Sequence, residues 1–463
     1  MNHPHNPQVD RIFARWNKPD SPGFALAVSK ADKIIYSRGY GMADLDHNIP
    51  ITPATVFHAA SLTKQFTAMC VMLLVGQGRL SLADEVHKLI PELKHVSPRI
   101  TIADMLHHIS GIRDQWVLVT MAGWRLSDDV VTRNDVLDLV KRMKTLNFRP
   151  GSAYSYSNTN YTLAGLIVEQ VSGLLLSEFA RQNIFVPLKM TSTAVADTHG
   201  LIVENRAYGY RATGHASFET RMPNYDLTGP TGLLTTVEDL MLWNHNFDSK
   251  VVGGKAALSA MQKPVANSNG YGLGLFISKE KGRRIVEHNG RDAGYRSHLI
   301  RFPGQKLAIA LLGNVLLENI ETDDLVRAVA AVYLKHKSVA APQDAAEAPL
   351  ETTGGTSAHP LKPADATEYL GRYYSEEIDT IYQIVLKGSS LQIVRKKYDP
   401  TPLYPLARDK FTMDDNFSNV LTTGALHFGR DARRKINGFR IDDTTPGSGN
   451  RLANFRFSKL PPK

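Results

Sequence analysis

The hydrophobic and polar positions of the first 335 residues switch between strand-like and helix-like periods. Two apolar runs, Phe24–Ser29 and Ile34–Arg38, flank a polar Lys-Ala-Asp-Lys turn and predict an antiparallel hairpin. Helical spacing behind capping or acidic residues predicts helices over 61–76, 101–109, 132–146, 161–182 and 236–247. Strand-like runs return at 271–277, 284–288, 298–302 and 307–312, and a last helix is predicted over 319–334.

Strands at both ends of a helical middle predict an α/β fold of the α+β kind, because early and late strands can join one sheet. We expect an antiparallel sheet flanked by helices, with an all-helical subdomain beside it. After a stretch rich in Ala, Pro, Gly and Thr, short strand-like runs predict a small C-terminal β-barrel. The predicted organisation is a catalytic domain over 1–337, a linker over 338–362 and a barrel domain over 363–463.

Composition restricts the class of protein and its location. With 463 residues, 43% hydrophobic and 21% charged, the chain is typical of a globular protein, which excludes a fibrous or wholly disordered one. The apolar stretch Ala68–Val75 is far shorter than the ~20 residues of a membrane span. The first ten residues are polar and broken by proline, and the single Cys70 excludes an intrachain disulfide. We therefore expect a cytoplasmic protein without a membrane span.

Neither the net charge nor the histidines predict a nucleic-acid partner or a cofactor. The net charge is +9, and the basic run 430–435 is the strongest candidate for contact with phosphates. No aromatic-interleaved pattern or nucleic-acid module accompanies it, so nucleic-acid binding is not expected. His107 and His108 are adjacent on a predicted helix and point in different directions, which argues against a zinc site. Neither a metal nor a cofactor is predicted.

A serine and a lysine at the start of the predicted 61–76 helix are the first chemical signal. Ser61 would open the helix, where the backbone N–H groups favour a developing oxyanion. Lys64 follows one turn later among apolar residues, and burial lowers the pKa of a lysine amine towards the range of a useful base. The alternative is a helix cap beside a solvated lysine, and the spacing recurs at Ser278 and Lys281.

A second signal is the Tyr156-Ser-Asn158 triplet, which lies in a loop rich in proline, glycine and serine. A phenol near an amine can carry a proton from the nucleophile to a leaving group, and a carboxamide can bind a carbonyl. The alternative is a turn that caps the helix predicted to begin at Tyr161.

A third signal is His288-Asn-Gly290, which ends a predicted strand and is followed by Arg291. Glycine lets a substrate lie against a strand edge, and the Arg291 N–H would then be a second oxyanion donor opposite the Ser61 N–H. His288 would bind a substrate or a tetrahedral intermediate. His-x-Gly recurs at 427–429, so the triplet alone is a weak signal.

Taken in order, the three motifs resemble the serine β-lactamase and penicillin-binding-protein superfamily, in its class C-like branch with D-Ala-D-Ala carboxypeptidases, D-aminopeptidases and esterases. The similarity covers about residues 10–335 and extends to Thr101–Ile112, Pro187–Thr191, Gly229–Thr236 and Tyr271–Gly274. The C-terminal segment resembles the lipocalin-like barrel appended to some D-aminopeptidases.

The resemblance implies a role for each motif residue. Ser61 is the acylated nucleophile, Lys64 its base and Tyr156 a second acid/base. Asn158 binds the substrate and Lys64, and His288 and Gly290 are the substrate-binding residues of the third motif. Many β-lactamases carry Lys-Thr-Gly at the third motif, whereas this chain has His-Asn-Gly. A histidine at this position resembles the D-amino-acid peptidases and other members of the superfamily that are not lactamases.

We therefore expect a cofactor-free serine hydrolase that acts on short D-amino-acid peptides or amides, and the resemblance favours one of the D-aminopeptidase kind. The alternatives are a carboxylesterase, a weak β-lactamase, or a non-catalytic scaffold or penicillin-binding sensor. A homo-oligomer is compatible with the sequence. A barrel loop over 409–419 is expected to reach the mouth of the cleft and to limit substrate length.

Overall fold

The computed structural model describes residues 5–96, 99–214, 217–316, 322–334, 366–413, 425–443 and 452–461. The helices are α1 Pro7–Ile12, α2 Thr63–Gly76, α3 Ile102–Leu106, α4 Gln115–Met121, α5 Arg133–Arg142, α6 Asn158–Ser172, α7 Leu176–Ala180, α8 Val186–Leu188, α9 Val237–Ser249, α10 Gly254–Met261 and α11 Thr322–Tyr333. The longer strands are given below with their sheets.

Contacts within the chain divide it into two units. Unit 1 comprises Met1–Asp84 and Tyr161–Glu347, and unit 2 comprises Glu85–Asn160 and Ala348–Lys463. Residues 85–160, which form part of the helical middle of the chain, therefore belong to the same unit as the C-terminal barrel. The three segments predicted from the sequence stay predictions, and the predicted linker over 338–362 lies outside the described residues.

Unit 1 is built on a six-stranded antiparallel sheet. Its strands are β1 Phe24–Lys30, β2 Lys33–Tyr40, β12 Phe276–Glu280, β13 Arg283–Asp292, β14 Tyr295–Phe302 and β15 Leu307–Gly313. They lie in the order β12-β13-β14-β15-β1-β2, so that the N-terminal hairpin joins the late strands in one sheet. This confirms the predicted α/β class and its antiparallel sheet.

Helices cover both faces of this sheet. Val9 and Phe13, at α1, and Val329 in α11 share one apolar cluster with Leu26 and Ile309 of the central strands. Helix α9 packs against β1 and β15. Strand β1 is therefore buried along six of its seven residues, which explains its continuous apolar run.

Shorter strands complete unit 1. They are β3 Met42–Asp44, β4 Ile49–Pro50, β5 Phe57–His58, β7 Ala194–Val195, β8 Tyr210–Gly214, β9 Ser217–Thr220, β10 Tyr225–Asp226, β11 Leu233–Thr235 and β16 Val315–Leu316. Strands β5, β11 and β7 form a small sheet. Strand β5 leads into the turn that carries the predicted nucleophile.

Unit 2 combines α3, α4 and α5 and the two-residue strand β6 Val131–Thr132 with a closed eight-stranded barrel. The barrel strands are β17 Gly371–Ser375, β18 Thr380–Lys387, β19 Ser390–Val394, β20 Thr401–Ala407, β21 Lys410–Met413, β22 Ala425–Arg430, β23 Ile436–Asp443 and β24 Leu452–Lys459. Strand β17 pairs with β24 and closes the barrel. Aromatic rings fill its interior, with Phe439 stacked 4.7 Å from Phe457. The predicted small barrel is confirmed.

Two predicted elements differ most in extent from the structure. The helix predicted over 161–182 begins at Asn158 and ends at Ser172, because Gly173 adopts a φ of 79° that ends a helix. The strand predicted over 271–277 begins only at Phe276, since Gly270 and Gly274 have positive φ values of 76° and 73°.

Within the described ranges, no single helix is both long and apolar enough to cross a membrane. The segments Asn158–Ser172 and Leu176–Leu188 reach the necessary length only together, and they are bent by 77° at their junction.

Candidate active site

Ser61 lies in a 3-10 turn, Ala60–Leu62, that leads directly into α2. Ala60 has a φ of 47°, a conformation that costs a residue other than glycine ~1 kcal/mol or more. Neighbouring groups hold the turn: the Ala60 N–H donates to His58 Nδ1 (3.2 Å), and Thr63 Oγ1 donates to the Ala60 carbonyl (2.6 Å). The Leu233 N–H of β11 donates in turn to Thr63 Oγ1. The backbone at the half-buried Ser61 is thus fixed from several sides.

Lys64 is completely buried one turn after Ser61. Its Nζ lies 3.0 Å from Ser61 Oγ and 2.9 Å from the Pro230 carbonyl oxygen, and it donates to both. The ring of Tyr161 has its centroid 5.7 Å from the same nitrogen. The predicted contact between the serine hydroxyl and the lysine amine is therefore present, and the Pro230 carbonyl fixes the direction of the amine.

Gly290 brings β13 against the turn of Ser61. A Cβ atom on Gly290 would lie 2.7 Å from the Ala59 carbonyl oxygen and 2.9 Å from Ala60 Cβ, and it would overlap Ser297 Oγ. Ser297 Oγ donates to the Ala59 carbonyl (2.7 Å) and ties β14 to the same turn. Glycine is required here by the close approach of the strand to the residues that precede Ser61.

His288 is buried, and both of its ring nitrogens contact this chain. Nδ1 lies 2.6 Å from the Asn289 carbonyl and donates to it, so Nε2 accepts from the Tyr271 hydroxyl (2.9 Å). Tyr271 also hydrogen-bonds Tyr161. Burial, assisted by the charge of Lys64, lowers the pKa of His288 to about 3. His288 is therefore neutral over the usual working range, and its direct contact with a substrate stays a prediction.

A buried polar network that the sequence did not reveal lies at the end of β13. His58 Nδ1 accepts from the Ala60 N–H, so Nε2 carries the proton and donates to the Tyr225 hydroxyl (2.9 Å). Tyr225 donates to Asp292 Oδ2, which also accepts from Thr231 Oγ1 (2.9 Å). Burial lowers the pKa of His58 to about 4, which keeps its ring neutral.

This network supports two of the predicted backbone positions. It starts beside Ala60, which precedes Ser61, and it ends at Asp292, which follows the exposed Arg291. Its members come from four separate segments of unit 1, up to 234 residues apart, so no local pattern links them. The only local signal was the Gly-Pro-Thr-Gly segment around Thr231.

The second motif belongs to unit 2, where other residues hold it. Asp114 Oδ2 accepts from the Asn158 N–H (2.6 Å) and from Asn158 Nδ2 (2.8 Å). His108 Nδ1 accepts from the Ser157 N–H (3.1 Å), and the His108 ring lies 4.4 Å from that of Tyr156. The half-buried Tyr156 and Asn158 are thus held by two buried polar residues.

The predicted site residues fall in two groups. Ser61, Lys64, His288, Gly290 and Arg291 belong to unit 1. Tyr156 and Asn158 belong to unit 2, and each group is described within its own unit. The roles assigned to all seven stay predictions.

Among the described residues, one group of side chains has the spacing of a metal site. Ligand atoms of Glu287, His298 and Asp323 lie within 4.8 Å of one another. The guanidinium of Arg327 donates to both carboxylates, at 3.0 Å from Glu287 and 2.7 Å from Asp323, and His298 Nε2 lies 3.0 Å from Glu287. A cationic side chain therefore already pairs with both carboxylates, which indicates an ion-pair network.

A buried lysine bonded to a serine at the start of a central helix, beside an antiparallel sheet, defines a candidate acyl-transfer site of the serine-hydrolase type. The sequence model of the beta-lactamase family matches residues 9–334. The chain belongs to this family, which confirms the resemblance found in its motifs.

Curated relatives include enzymes and penicillin-binding proteins. The chain is 28% identical to the D-aminopeptidase of Gluconobacter oxydans over 74% of this chain and 65% of that protein. It is 30% identical to Protein flp of Staphylococcus aureus strain N315, over 68% and 64%, and 26% identical to penicillin-binding protein 4* of Bacillus subtilis, over 84% and 87%. The matches thus cover just under two thirds of the first two proteins.

Solved structures share the fold at low identity. The octameric penicillin-binding protein homologue from Pyrococcus abyssi has a TM-score of 0.63 at 21% identity and covers 97% of this chain and 98% of its own. The D-amino acid amidase from Ochrobactrum anthropi SV3 has a TM-score of 0.60 at 24% identity, over 71% of this chain and 98% of that one. The first of these two neighbours spans the barrel as well.

Proposed function

We propose that this chain is a serine hydrolase that forms an acyl-enzyme at Ser61 and hydrolyses short D-amino-acid peptides or amides to a carboxylic acid and an amine or ammonia. The proposal rests on the 3.0 Å contact between Ser61 Oγ and the buried Lys64 Nζ. A hydroxyl becomes a competent nucleophile when an adjacent base accepts its proton. In its deprotonated form the Lys64 amine has one N–H directed at the Pro230 carbonyl and a lone pair for the Ser61 proton.

The acylation step follows from this arrangement. Ser61 Oγ attacks the substrate carbonyl carbon while its proton passes to Lys64 Nζ. The backbone N–H groups of Ser61 and Arg291 stabilise the oxyanion. The close approach of β13 to the Ala59–Ala60 backbone, which Gly290 permits, supports this pairing of donors.

Tyr156 and Asn158 complete the proposed mechanism on the strength of the family resemblance. Tyr156 gives a proton to the leaving-group nitrogen as the C–N bond breaks and regains one from Lys64, so that the serine proton ends on the leaving group. It later helps to activate the water that hydrolyses the acyl-enzyme. Asn158 binds the substrate carbonyl through its carboxamide, which Asp114 orients. Loss of either side chain should slow the reaction without unfolding the chain.

The state of His288 favours an amide or peptide with a free amino terminus over a lactam antibiotic. A neutral imidazole offers no positive charge at this position to attract a substrate carboxylate. The relative named a D-aminopeptidase and the neighbour named a D-amino acid amidase support the same substrate class. Esters and lactams follow the same acyl-enzyme route and are the alternative substrates.

The assembly and the location belong to this proposal as well. The neighbour described as octameric supports a homo-oligomer. A cytoplasmic location stays a prediction from the sequence.

A substrate panel tests the proposal. D- and L-enantiomers of the same aminoacyl p-nitroanilides are compared with p-nitrophenyl esters and nitrocefin, for the wild type and Ser61→Ala. We expect preferential turnover of the D-anilides that Ser61→Ala abolishes. Equal turnover of both enantiomers would contradict the substrate class, and undiminished turnover by Ser61→Ala would contradict the nucleophile.

A further inference from the structure

Arg113 connects the helical part of unit 2 to the barrel. Its guanidinium is completely buried, and Nη1 donates to Glu377 Oε2 (2.5 Å), between β17 and β18. Nη2 donates to the Ala453 carbonyl of β24 (2.9 Å), and the ring of Phe455 lies 5.2 Å from the guanidinium carbon. Bonds to Thr145 complete its polar contacts. Arg113 is therefore anchored in the barrel by both charge and backbone bonds.

The same stretch of chain holds the second motif. The Arg113 carbonyl accepts from Thr159 Oγ1 (2.7 Å), and Asp114, the next residue, accepts both bonds from Asn158. The other Asp114 oxygen caps α4 by accepting from the Trp116 N–H (2.9 Å). Arg113, which is bonded to the barrel, and Asp114, whose carboxylate orients Asn158, are thus adjacent in the chain.

The buried ion pair makes this connection stiff. Burial lowers the pKa of Arg113 and raises that of Glu377, so each group needs the charge of the other to remain ionised. The Lys144 N–H also donates to Glu377 Oε2 (3.1 Å). Removal of the Glu377 charge would leave the Arg113 guanidinium buried without its counter-charge, a cost that movement of Arg113 towards water would relieve. Asp114, the next residue, would move with it. Removal of the Arg113 side chain would instead delete the bonds to Glu377 and Ala453.

We propose that Arg113 is a positioning residue through which the barrel holds the Tyr156-Ser157-Asn158 segment in place. Its effect on catalysis rests on the proposed function, whereas its effect on the order of the segment does not. The barrel then acts as a support for the second motif from within unit 2.

The test uses the full chain with Arg113→Met and Glu377→Gln. The second variant keeps an oxygen acceptor and the volume of the side chain while it removes the charge. Tyr398→Phe is the matched control, because it removes another barrel bond, from Tyr398 to the Trp124 carbonyl (2.7 Å), ten residues beyond Asp114. Circular dichroism and thermal unfolding first verify that each variant is folded.

Amide hydrogen exchange over residues 155–160 is the first readout. We expect ~10-fold faster exchange in both variants and no change in Tyr398→Phe. Unchanged exchange in a folded Glu377→Gln, or an equal rise in Tyr398→Phe, would overturn the proposal. This readout is independent of whether Ser61 is the nucleophile.

Kinetics with an activated ester provide the second readout. We expect kcat to fall ~10- to 100-fold with a smaller change in KM, because the segment is displaced by a fraction of an ångström. Arg113→Met should add little to the loss in Asn158→Ala, since both act through one contact. Fully additive losses would overturn the proposal. Turnover that survives Ser61→Ala would contradict the proposed function and leave the exchange result standing.

Discussion

Replacing Gly290 by alanine should disable Ser61 while the fold survives. The new Cβ would lie 2.7 Å from the Ala59 carbonyl oxygen, whereas ordinary contacts between heavy atoms begin near ~3.5 Å. Strand β13 and the turn before Ser61 must therefore separate by about 0.8 Å. Overpacking of this size costs ~1–3 kcal/mol of the free energy of unfolding. A shift near 1 Å in a reacting group lowers the rate by ~10²-fold.

The assay for this variant separates activity from stability. Burst kinetics with a p-nitrophenyl ester give the acylation rate, and urea unfolding gives the free energy of unfolding. Gly304→Ala is the matched control, because no atom lies within 4 Å of its added Cβ. We expect Gly290→Ala to remain folded and to acylate ~10²-fold more slowly, with the control unchanged. Wild-type acylation by Gly290→Ala would refute the inferred packing of β13 against the turn of Ser61.

Three further predictions concern single side chains. Lys64→Arg should lower kcat by ~10³-fold, because a guanidinium cannot accept the serine proton. Single-turnover kinetics measure the loss, and turnover at the wild-type rate would exclude Lys64 as the base. The folded pKa of about 3 for His288 lies below its ordinary value of 6.5, so the folded chain binds fewer protons between these values and loses stability as pH falls from 6.5. His288→Gln should therefore show a smaller drop in the urea midpoint between pH 7 and pH 5, and an undiminished drop would contradict the neutral buried ring. Ser297→Ala should cost ~1 kcal/mol of the free energy of unfolding by removing the bond to the Ala59 carbonyl, and it should slow acylation; no change in either would show that this bond does not support the turn.

Sequence patterns predicted the elements that are determined by residues close together in the chain. The apolar runs of the first hairpin and of β13 to β15 predicted the sheet, and the three-residue spacing predicted the contact of Ser61 with Lys64. Pro402 and Pro405 argue against a strand at the position of β20, so its sequence does not predict it. In the barrel, β20 pairs with β21 through a register shift beyond Pro405, which accommodates the proline.

Contacts between residues far apart in the chain could not be predicted from sequence patterns. Arg113 precedes a helix cap and looks like an exposed charge, and its partner Glu377 lies 264 residues later in the barrel. The network of His58, Tyr225 and Asp292 has the same character. These side chains are polar, so the sequence predicts that they are exposed, yet they are buried in the fold. Only the tertiary structure shows which of them are paired.

The described contacts of the barrel support the role proposed for Arg113, and they do not test the expected gating of the cleft. Residues 409–413 form part of a turn and β21, whereas 414–419 of the expected gating loop lie outside the described residues. The described barrel contacts within unit 2 reach Arg113, Met121 and Trp124. These contacts connect the barrel to the support of the second motif, and control of substrate length stays a prediction.

The central claim is that Ser61 becomes covalently acylated, and one measurement tests it most directly. The wild type and Ser61→Ala are incubated with a reactive ester or phosphonate probe, followed by intact-mass analysis and peptide mapping. Ser278, which also precedes a lysine by three residues, is the comparison within the same chain. We predict one adduct per chain, on the peptide that contains Ser61, and none in Ser61→Ala. An adduct on Ser278, or labelling that persists in Ser61→Ala, would contradict the account.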